Sequence, residues 1–205
     1  MGDKGRREDI IHSARVLFSE RGYHGTTIRD IAQMSGILSG SLYAHIRTKE
    51  DLLYEIVDSV ADQFLESLAA VVSRQLSAEE KFREALAAHI GVVARNLDAA
   101  TVFSHEWRAL EGERRALIQD KRDKYEHLWQ EVIQYGVAEG TFVMSNQRFS
   151  RIVSLSVANW LYQWYDPAGE LSAKAVADRL ADVLLYGVNR RSADVGPRPR
   201  AIKEV

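Results

Sequence analysis

The chain has 205 residues, of which 46% are hydrophobic and 27% are charged, and its formal net charge is −2 at pH 7. This length provides for one or two packed domains, and the balance of charge excludes a protein that coats nucleic acid with a generally basic surface. Because the sequence contains no cysteine, disulfide bonds and thiolate chemistry are excluded as well.

The N-terminus is short and charged, and no apolar stretch approaches the length of a membrane span. We therefore expect a soluble, cytoplasmic protein with no membrane partner. Residues 1–50 carry 8 Lys and Arg against 6 Asp and Glu. So small an excess favours a few placed phosphate contacts over binding through bulk charge.

The first two predicted helices have clear start and stop signals. Apolar residues recur at helical spacing in the first helix, and Gly22 is a natural stop; these residues are Ile10, Ile11, Ala14, Leu17 and Phe18. Thr27 and Asp30 have the spacing of a capping box, in which each end of the motif satisfies a free backbone N–H. A tight turn at residues 34–36 follows this second helix.

A short third helix is predicted to begin at Ser39, whose hydroxyl would cap its first turn. Leu42 and Ile46 are four residues apart, so they share a face that points into a core. Thr48 and Asp51 form a second capping box, which opens a long fourth helix. Two short helices joined by a glycine-containing turn, with a supporting helix in front, indicate a helix-turn-helix. Taken alone, the third and fourth helices also agree with an ordinary surface hairpin.

The rest of the chain is predicted to be helical too. An apolar stripe continues from Leu52 along the fourth helix, Ser77 and Glu80 have capping-box spacing, and a long helix spans about 113–139. Residues 146–165 are apolar around nearly the whole circumference, so this helix must be covered on all sides, and Ser172 caps a last helix. No alternating β pattern and no internal repeat is visible. We expect an all-α protein of about nine helices.

Residues 8–54 resemble the TetR family of one-component transcriptional regulators. The matching positions are Ala14, Leu17, Phe18, Gly22, Tyr23, Thr26, Thr27, Ile31, Ala32, Gly36, Ile37, Ser41, Leu42, Tyr43, His45, Lys49 and Leu52. Ile46 departs from the family, which more often has Phe there, although an aliphatic side chain can still fill that position. The resemblance implies a DNA-binding domain at 1–50 and a helical effector-binding and dimerisation domain at 51–190. The proline-containing segment 191–205 is predicted to be a flexible tail.

The resemblance also implies the DNA contacts. Arg29 would reach a base, because its guanidinium suits the acceptor edge of guanine. Phosphates would be held by Thr27, His45 and Lys49. The residues that would face the major groove are Ser39, Gly40, Ser41, Tyr43 and Ala44. Because several of these side chains are small, specificity would depend on Arg29, Tyr43 and DNA shape. The expected partner is a palindromic operator in double-stranded DNA.

Aromatic and basic residues in the body predict an effector site, namely an apolar cavity with a cationic mouth. The predicted effector-binding residues are Phe103, Trp107, Arg108, Arg122, Tyr125, Trp129, Trp160 and Trp164. Further cations lie nearby at Arg114, Arg115, Lys121 and Lys124. The alternatives are that the aromatic residues only fill the core and that the basic residues form a solvated helix face.

Two short patterns are similar to the TetR subgroup that senses CoA thioesters. They are GILSGSLY at 36–43 and the pattern Trp164-Tyr165-x-Pro167-x-Gly169-x-Leu171-Ser172. This similarity implies a repressor that an acyl-CoA releases from DNA; a free lipophilic or drug-like ligand is the alternative. It also implies a homodimer formed by the last two helices. The alternative is that the apolar helix at 146–165 is simply buried within one subunit.

An enzyme is the main rival class, but the motifs that would indicate one are missing. The sequence has no glycine-rich dinucleotide fingerprint, P-loop, zinc-protease helix or nucleophile elbow. His105 and Glu106 are adjacent, so they do not share a helix face, and His89 is interpreted as a satisfied core histidine. We expect no catalytic residue, metal or cofactor. An adaptor that binds only protein would leave the arrangement of Thr27, Tyr43 and Lys49 unexplained.

Overall fold

The computed structural model describes residues 3–142 and 146–187, and within those ranges it is built from α-helices and contains no β-strand. This confirms the predicted all-helical fold. The helices are Asp3–Arg21 (α1), Ile28–Met34 (α2), Ser39–Leu42 (α3), Lys49–Val72 (α4), Ala78–Arg95 (α5), Leu97–His105 (α6), Gly112–Ala138 (α7), Gln147–Asn159 (α8) and Ala173–Tyr186 (α9). One-turn 3₁₀ helices follow α6 at Trp107–Ala109 and α8 at Trp160–Gln163.

Three helix starts are fixed by the capping boxes that the sequence predicts. In the box before α2, the Thr27 hydroxyl accepts from the Asp30 N–H at 3.2 Å, and the Asp30 carboxylate accepts from the Thr27 N–H at 2.8 Å. Both bonds of the box are also present before α4 and before α5. Each cap satisfies backbone donors that the helix cannot satisfy itself, a contribution of about 1 kcal/mol.

The predicted cap on α3 is wrong. Ser39 is the first residue inside the helix, and the capping position belongs to Leu38, which has no side-chain hydrogen bond to the helix. A hydroxyl one residue inside the helix start is not in the position from which a side chain reaches the second or third N–H. Without a cap, α3 extends over only four residues before the chain turns towards α4.

The head, comprising α1 to α3, packs around a small core that continues into α4. Phe18, Ile31 and Leu42 are fully or almost fully buried, and Ile46 is 5% exposed. Isoleucine therefore fills the position where Phe is more usual, as expected. The predicted domain boundary between residues 50 and 51 falls in the first turn of α4, so one continuous helix joins the head to the body.

In the body, α4 packs against α5, α6 and α7, while α8 packs against α5 and α7 and α9 packs against α5. At the end far from the head, Trp129 is completely buried, with its ring edge-on to Phe82 at 6.0 Å between centroids. Gly136 of α7 lies against the ring of Phe142, and a Cβ atom there would be 2.1 Å from that ring. This end of the body is therefore a closed core in which α7 needs glycine.

The predicted apolar helix at 146–165 is divided into two pieces and is not covered on all sides within the chain. The α-helix ends at Asn159, and Trp160 begins a 3₁₀ turn. Large apolar side chains are exposed on α8, the turn after it and α9; they are Phe149, Ile152, Trp160, Trp164 and Val183. The predicted flexible tail at 191–205 lies outside the described residues. In the described part of the chain, no helix combines the length and hydropathy needed to cross a membrane.

Candidate nucleic-acid interface and effector cavity

The outer surface of α3 presents small and aromatic side chains to solvent. Gly40, Ser41 and Ala44 are exposed and Tyr43 is 58% exposed, whereas Ser39 and His45 are half-buried. Arg29 is exposed near the start of α2. Four of the five residues predicted to face the major groove are therefore open to solvent, and Ser39 is partly so.

Leu38 belongs to this surface and is absent from the predicted contacts. It is 80% exposed, more than any other large apolar side chain in the described part of the chain. Helical spacing would have placed Leu38 with Leu42 in the core, because they are four residues apart. Leu38 instead precedes the helix in an extended conformation, so helical periodicity does not apply to it. An exposed leucine can contact a thymine methyl group.

Lys49 has hydrogen-bond partners of its own within the head. Its ammonium donates to the carbonyl oxygens of Tyr23 and Thr26, each at 2.8 Å, and lies 4.1 Å from the centre of the Tyr23 ring. Burial lowers the pKa of Lys49. Tyr23 and Thr26 belong to the loop between α1 and α2. Their carbonyl oxygens accept from the Lys49 ammonium in the first turn of α4, which satisfies them within the head. A phosphate contact through the remaining N–H stays a prediction.

Thr27 is likewise engaged within the head. Its hydroxyl donates to the Asp30 carboxylate at 2.6 Å, and its N–H donates to the same group at 2.8 Å. The Thr27 hydroxyl, together with the Thr27 backbone N–H, lowers the pKa of Asp30, which keeps the carboxylate ionised. The predicted phosphate contact of Thr27 would therefore share or replace the bonds to Asp30.

Polar contacts join the head to the body on two sides of α4. On one side, Arg114 of α7 pairs with Glu50 and Asp51 at the start of α4. Burial acts to raise the pKa of Asp51, but hydrogen bonds from Arg114 and Thr48 outweigh it and bring the pKa to about 2. On the other side, the Glu106 carboxylate accepts from the Tyr23 N–H at 3.0 Å. The head is therefore attached to the end of α6 as well as to α4, and α7 is attached to the start of α4.

A cavity of about 470 Å³ lies in the body between α4, α5, α6, α7 and α8, within the size range of small-molecule sites. Its inner end is formed by Ala61, Phe64 and His89, which are buried. Its mouth is formed by residues of α8 and the following turn that solvent reaches, including Ile152 and Trp160. The cavity is therefore apolar at depth and open at one end.

Half of the predicted effector residues meet at this cavity. Phe103, Arg122, Tyr125 and Trp160 line it. The other four predicted residues do not line it: Trp107 and Trp129 are buried in the core, Trp164 is 51% exposed, and Arg108 is exposed, with its guanidinium over the Trp107 ring. Composition and helical spacing show on which face of a helix an aromatic residue lies. They do not show which other helix packs against that face.

Arg122 is the cation most available to a ligand in the cavity. Its guanidinium carbon lies 5.0 Å from the centre of the Phe103 ring and 4.8 Å from that of Trp107. Among the described residues, no hydrogen bond or ion pair joins it to a carboxylate. Burial, followed by the charge of Arg108, lowers the pKa of Arg122. The charges of Glu126 and Asp123 act in the opposite direction, but neither forms an ion pair with this guanidinium. A guanidinium packed against aromatic rings without a directly bonded carboxylate is suited to bind an anion.

His89 is a cavity residue that the sequence interpretation assigned to the core. Its Nδ1 lies 2.7 Å from the hydroxyl of Tyr125, while its Nε2 is buried without a hydrogen-bond partner. Burial lowers the pKa of His89 to about 4, against a smaller opposing effect of Asn159, so the ring is neutral at pH 7. The expectation of a satisfied histidine thus holds for one ring nitrogen only. The signal available in the sequence was a histidine beside an apolar stripe.

A larger cleft of about 970 Å³ lies between the end of α3 and the length of α4. Ion pairs of Arg7 with Glu55 and of Arg114 with Asp51 cross it, so these charges already have partners. We therefore consider the smaller cavity, with its unpaired Arg122, as the candidate effector site. Within the described ranges, no three His, Cys, Asp or Glu side chains are grouped as metal ligands.

Comparison with known proteins gives matches along most of the chain. Residues 10–56 match the family described as bacterial regulatory proteins, tetR family, and residues 75–188 match the tetracyclin repressor-like C-terminal domain. The chain is 29% identical over 189 residues to the transcriptional repressor KstR2 of Rhodococcus jostii, covering 91% of this chain and 93% of that protein. It is 23% identical over 190 residues to the fatty acid metabolism regulator protein of Bacillus subtilis, covering 89% and 95%.

A solved structure of AibR in complex with isovaleryl coenzyme A and operator DNA is also similar. Its TM-score is 0.77 with 28% sequence identity, and the match covers 88% of this chain and 98% of that one. This chain is therefore similar, over both the head and the body, to a regulator whose structure contains DNA and an effector together.

Proposed function

Because the chain belongs to the TetR family of bacterial transcriptional regulators, we propose that it is a cytoplasmic repressor without enzymatic activity. It binds a palindromic operator as a homodimer through the surface around α3. An acyl-CoA or a related CoA thioester enters the cavity and releases the protein from DNA. The genes it controls would then act on lipids or other organic acids.

The observation that carries the effector class is the position of Arg122. An apolar cavity suits an acyl chain, whereas an anionic thioester carrier needs a cation where that chain meets solvent. Arg122 lines the cavity and lacks a carboxylate partner among the described residues, and Arg151 lies nearby, paired with Glu126 at 3.1 Å. AibR, whose structure contains isovaleryl coenzyme A, is similar over 88% of this chain. Together these features favour an anionic effector with an apolar portion.

The exposed apolar residues of α8 and α9 support the homodimer. Ile152, Trp160 and Val183 are each 46–59% exposed, although they lie on well-formed elements of the body. Exposed apolar patches of this kind mark interaction surfaces in otherwise well-packed proteins. A second copy bound here would place two heads on one duplex, with a separation near the roughly 34–36 Å repeat of the major groove.

Release from DNA requires the effector to favour a conformation that binds DNA poorly. The cavity is formed partly by α4 and α6, and both helices are attached to the head. Glu106, just after α6, accepts from the Tyr23 N–H, and Asp51 of α4 pairs with Arg114. A ligand that moves either helix would therefore change the position of the head.

A free lipophilic or drug-like ligand is the second candidate. The buried inner end of the cavity favours it, because His89 and Tyr125 present polar groups among Phe64 and Phe103. Such a ligand would bind by burial and one or two hydrogen bonds, without needing Arg122.

The two candidates differ in their dependence on Arg122. We expect CoA thioesters of graded chain length to raise the melting temperature of the protein and to reduce its binding to the DNA upstream of its own gene in gel-shift assays. Arg122→Met should weaken the effect of the thioesters at least tenfold, about 1.4 kcal/mol. Arg115→Met, on the exposed face of the same helix, is the matched control.

Equal responses of the Arg122→Met variant and the wild type to CoA thioesters would contradict the anionic effector. A response to uncharged lipophilic compounds but to no thioester would favour the second candidate. Failure of the wild-type protein to bind any upstream DNA, in the presence or absence of ligands, would refute the proposed regulator.

A further inference from the structure

Lys121 of α7 connects the effector cavity to the helix that joins the head and the body. Its side chain lines the cavity, and its ammonium lies 2.6 Å from a carboxylate oxygen of Asp58 and 2.6 Å from one of Asp62. Both carboxylates belong to α4 and are four residues apart, so they share a face of that helix. Burial opposes the charged form of Lys121, but Asp58 and Asp62 outweigh it, and the pKa of Lys121 is raised.

The ammonium of Lys121 therefore separates two like charges. Carboxylates at this spacing on one helix repel each other when no cation lies between them. The ion pair with Asp58 is partly shielded, since 21% of the Lys121 side chain and 27% of the Asp58 side chain are exposed, whereas the Asp62 side chain is 48% exposed. Shielding from water strengthens both the attraction to Lys121 and the repulsion that its loss would leave.

Lys121 forms the second of two charged contacts between α4 and α7. Arg114 lies seven residues earlier on α7, and its partner Asp51 lies seven residues before Asp58 on α4. Arg114 lines the open cleft beside the head, whereas Lys121 lines the effector cavity. Only the contact at Lys121 is therefore in direct reach of a ligand in the cavity.

The neighbouring cation Arg122 differs in having no carboxylate partner among the described residues. An anion in the cavity lies in a lining that contains Arg122 and also an ammonium already shared by two carboxylates. Three anions cannot all be close to Lys121 without repulsion between them. Binding of the anion and retention of the contacts with Asp58 and Asp62 are therefore in competition.

We propose that an anionic effector takes Lys121 from Asp58 and Asp62, and that this exchange loosens α4 from α7 and lowers the affinity of the head for DNA. The proposal rests on the proposed function, since it requires an anionic effector in the cavity. It assigns Lys121 a role different from that of Arg122. Arg122 supplies binding alone, whereas Lys121 transmits the binding to α4.

The test measures the operator affinity of the full-length protein by fluorescence anisotropy, with and without acyl-CoAs from acetyl- to palmitoyl-CoA. The ratio of the two dissociation constants reports the coupling between effector and DNA. Lys121→Met should reduce this ratio at least tenfold. The control is Lys124→Met, because Lys124 pairs with Asp120 on its own helix and has a side chain that is 65% exposed.

A second variant tests the competition from the other side. The double variant Asp58→Asn, Asp62→Asn frees Lys121, so it should bind the acyl-CoA about threefold to tenfold more tightly. Because it has no ion pair left to exchange, its ratio of dissociation constants should fall as it does for Lys121→Met. If Lys121 merely stabilises the fold, Lys121→Met lowers the melting temperature but keeps the wild-type ratio, and the double variant gains no affinity. Either of those two results overturns the exchange. A wild-type protein that binds its operator equally well with every acyl-CoA removes the anionic effector itself, and the exchange with it.

Discussion

The head and the effector cavity differ in how their polar groups are satisfied. In the head, the Lys49 ammonium donates to two carbonyl groups, and Thr27 and Asp30 satisfy each other. In the cavity, Nε2 of His89 is buried without a partner, and Arg122 has no carboxylate partner in the described part of the chain. Buried polar groups without partners destabilise a fold unless something else satisfies them. The groups around Lys49 and Thr27 are thus paired within the head, although Nε of Arg15 in α1 is buried without a partner. The cavity contains groups that a ligand can complete.

The largest expected effect is on the free energy of unfolding, and it distinguishes a residue of the closed core from a residue that lines the cavity. Trp129→Ala should lower the free energy of unfolding by about 3–5 kcal/mol, because the ring is fully buried against Phe82. Phe103→Ala should cost less than about 2 kcal/mol, because one side of that ring already faces the cavity. Urea unfolding at one protein concentration measures both. Equal losses would show that the region around Phe103 is core and not a binding site.

The second expected effect concerns His89 and pH. The pKa of His89 is lowered to about 4 in the folded protein by burial, whereas an unfolded histidine takes up its proton near pH 6.5. Between these values the unfolded state binds more protons, so stability falls as pH is lowered from about 6.5 to 4. The loss reaches at most about 3 kcal/mol and is absent above that range.

Thermal unfolding across this pH range tests the prediction. His89→Gln should remove that part of the pH dependence, whereas His127→Gln, at a side chain that is 72% exposed, should not. If His89→Gln and the wild type show the same pH dependence, the buried imidazole is not responsible for it.

The third expected effect tests whether Lys49 stabilises the head in the absence of DNA. Lys49→Met leaves the carbonyl groups of Tyr23 and Thr26 without their donor, which should cost about 1–3 kcal/mol in stability. If the remaining N–H also contacts a phosphate, Lys49→Met should reduce the slope of the logarithm of operator affinity against the logarithm of salt concentration by about one. Urea unfolding and salt titrations of operator binding separate these roles, with Lys174→Met as the control for an exposed ammonium. Unchanged stability would contradict the internal role.

The smallest expected effect compares a helix start that has a side-chain cap with one that does not. Ser77→Ala should cost about 1 kcal/mol, because the Ser77 hydroxyl accepts from the Glu80 N–H at the start of α5. Ser39→Ala should change stability by less than about 0.5 kcal/mol, because Ser39 does not cap α3. Thermal unfolding measures both. A larger loss for Ser39→Ala would mean that its hydroxyl contributes to the head in another way.

The sequence by itself determined the features that depend on neighbours within one helical turn. The capping boxes at Thr27, Thr48 and Ser77 form as their spacing predicts, because both partners of each box lie three residues apart. The apolar stripe of α4 is buried for the same reason, since one turn of helix brings its residues to one face. The all-helical fold follows from these local signals.

Only the tertiary structure decided which groups meet across helices. Phe103, Tyr125 and Trp160 line one cavity, while Trp129 is buried in the core, although all four are aromatic residues predicted for the same site. Lys49 turns inward because a loop more than twenty residues earlier places two carbonyl groups beneath it. Helical periodicity specifies the face on which a side chain lies. The partner of that face depends on how helices far apart in the sequence pack together.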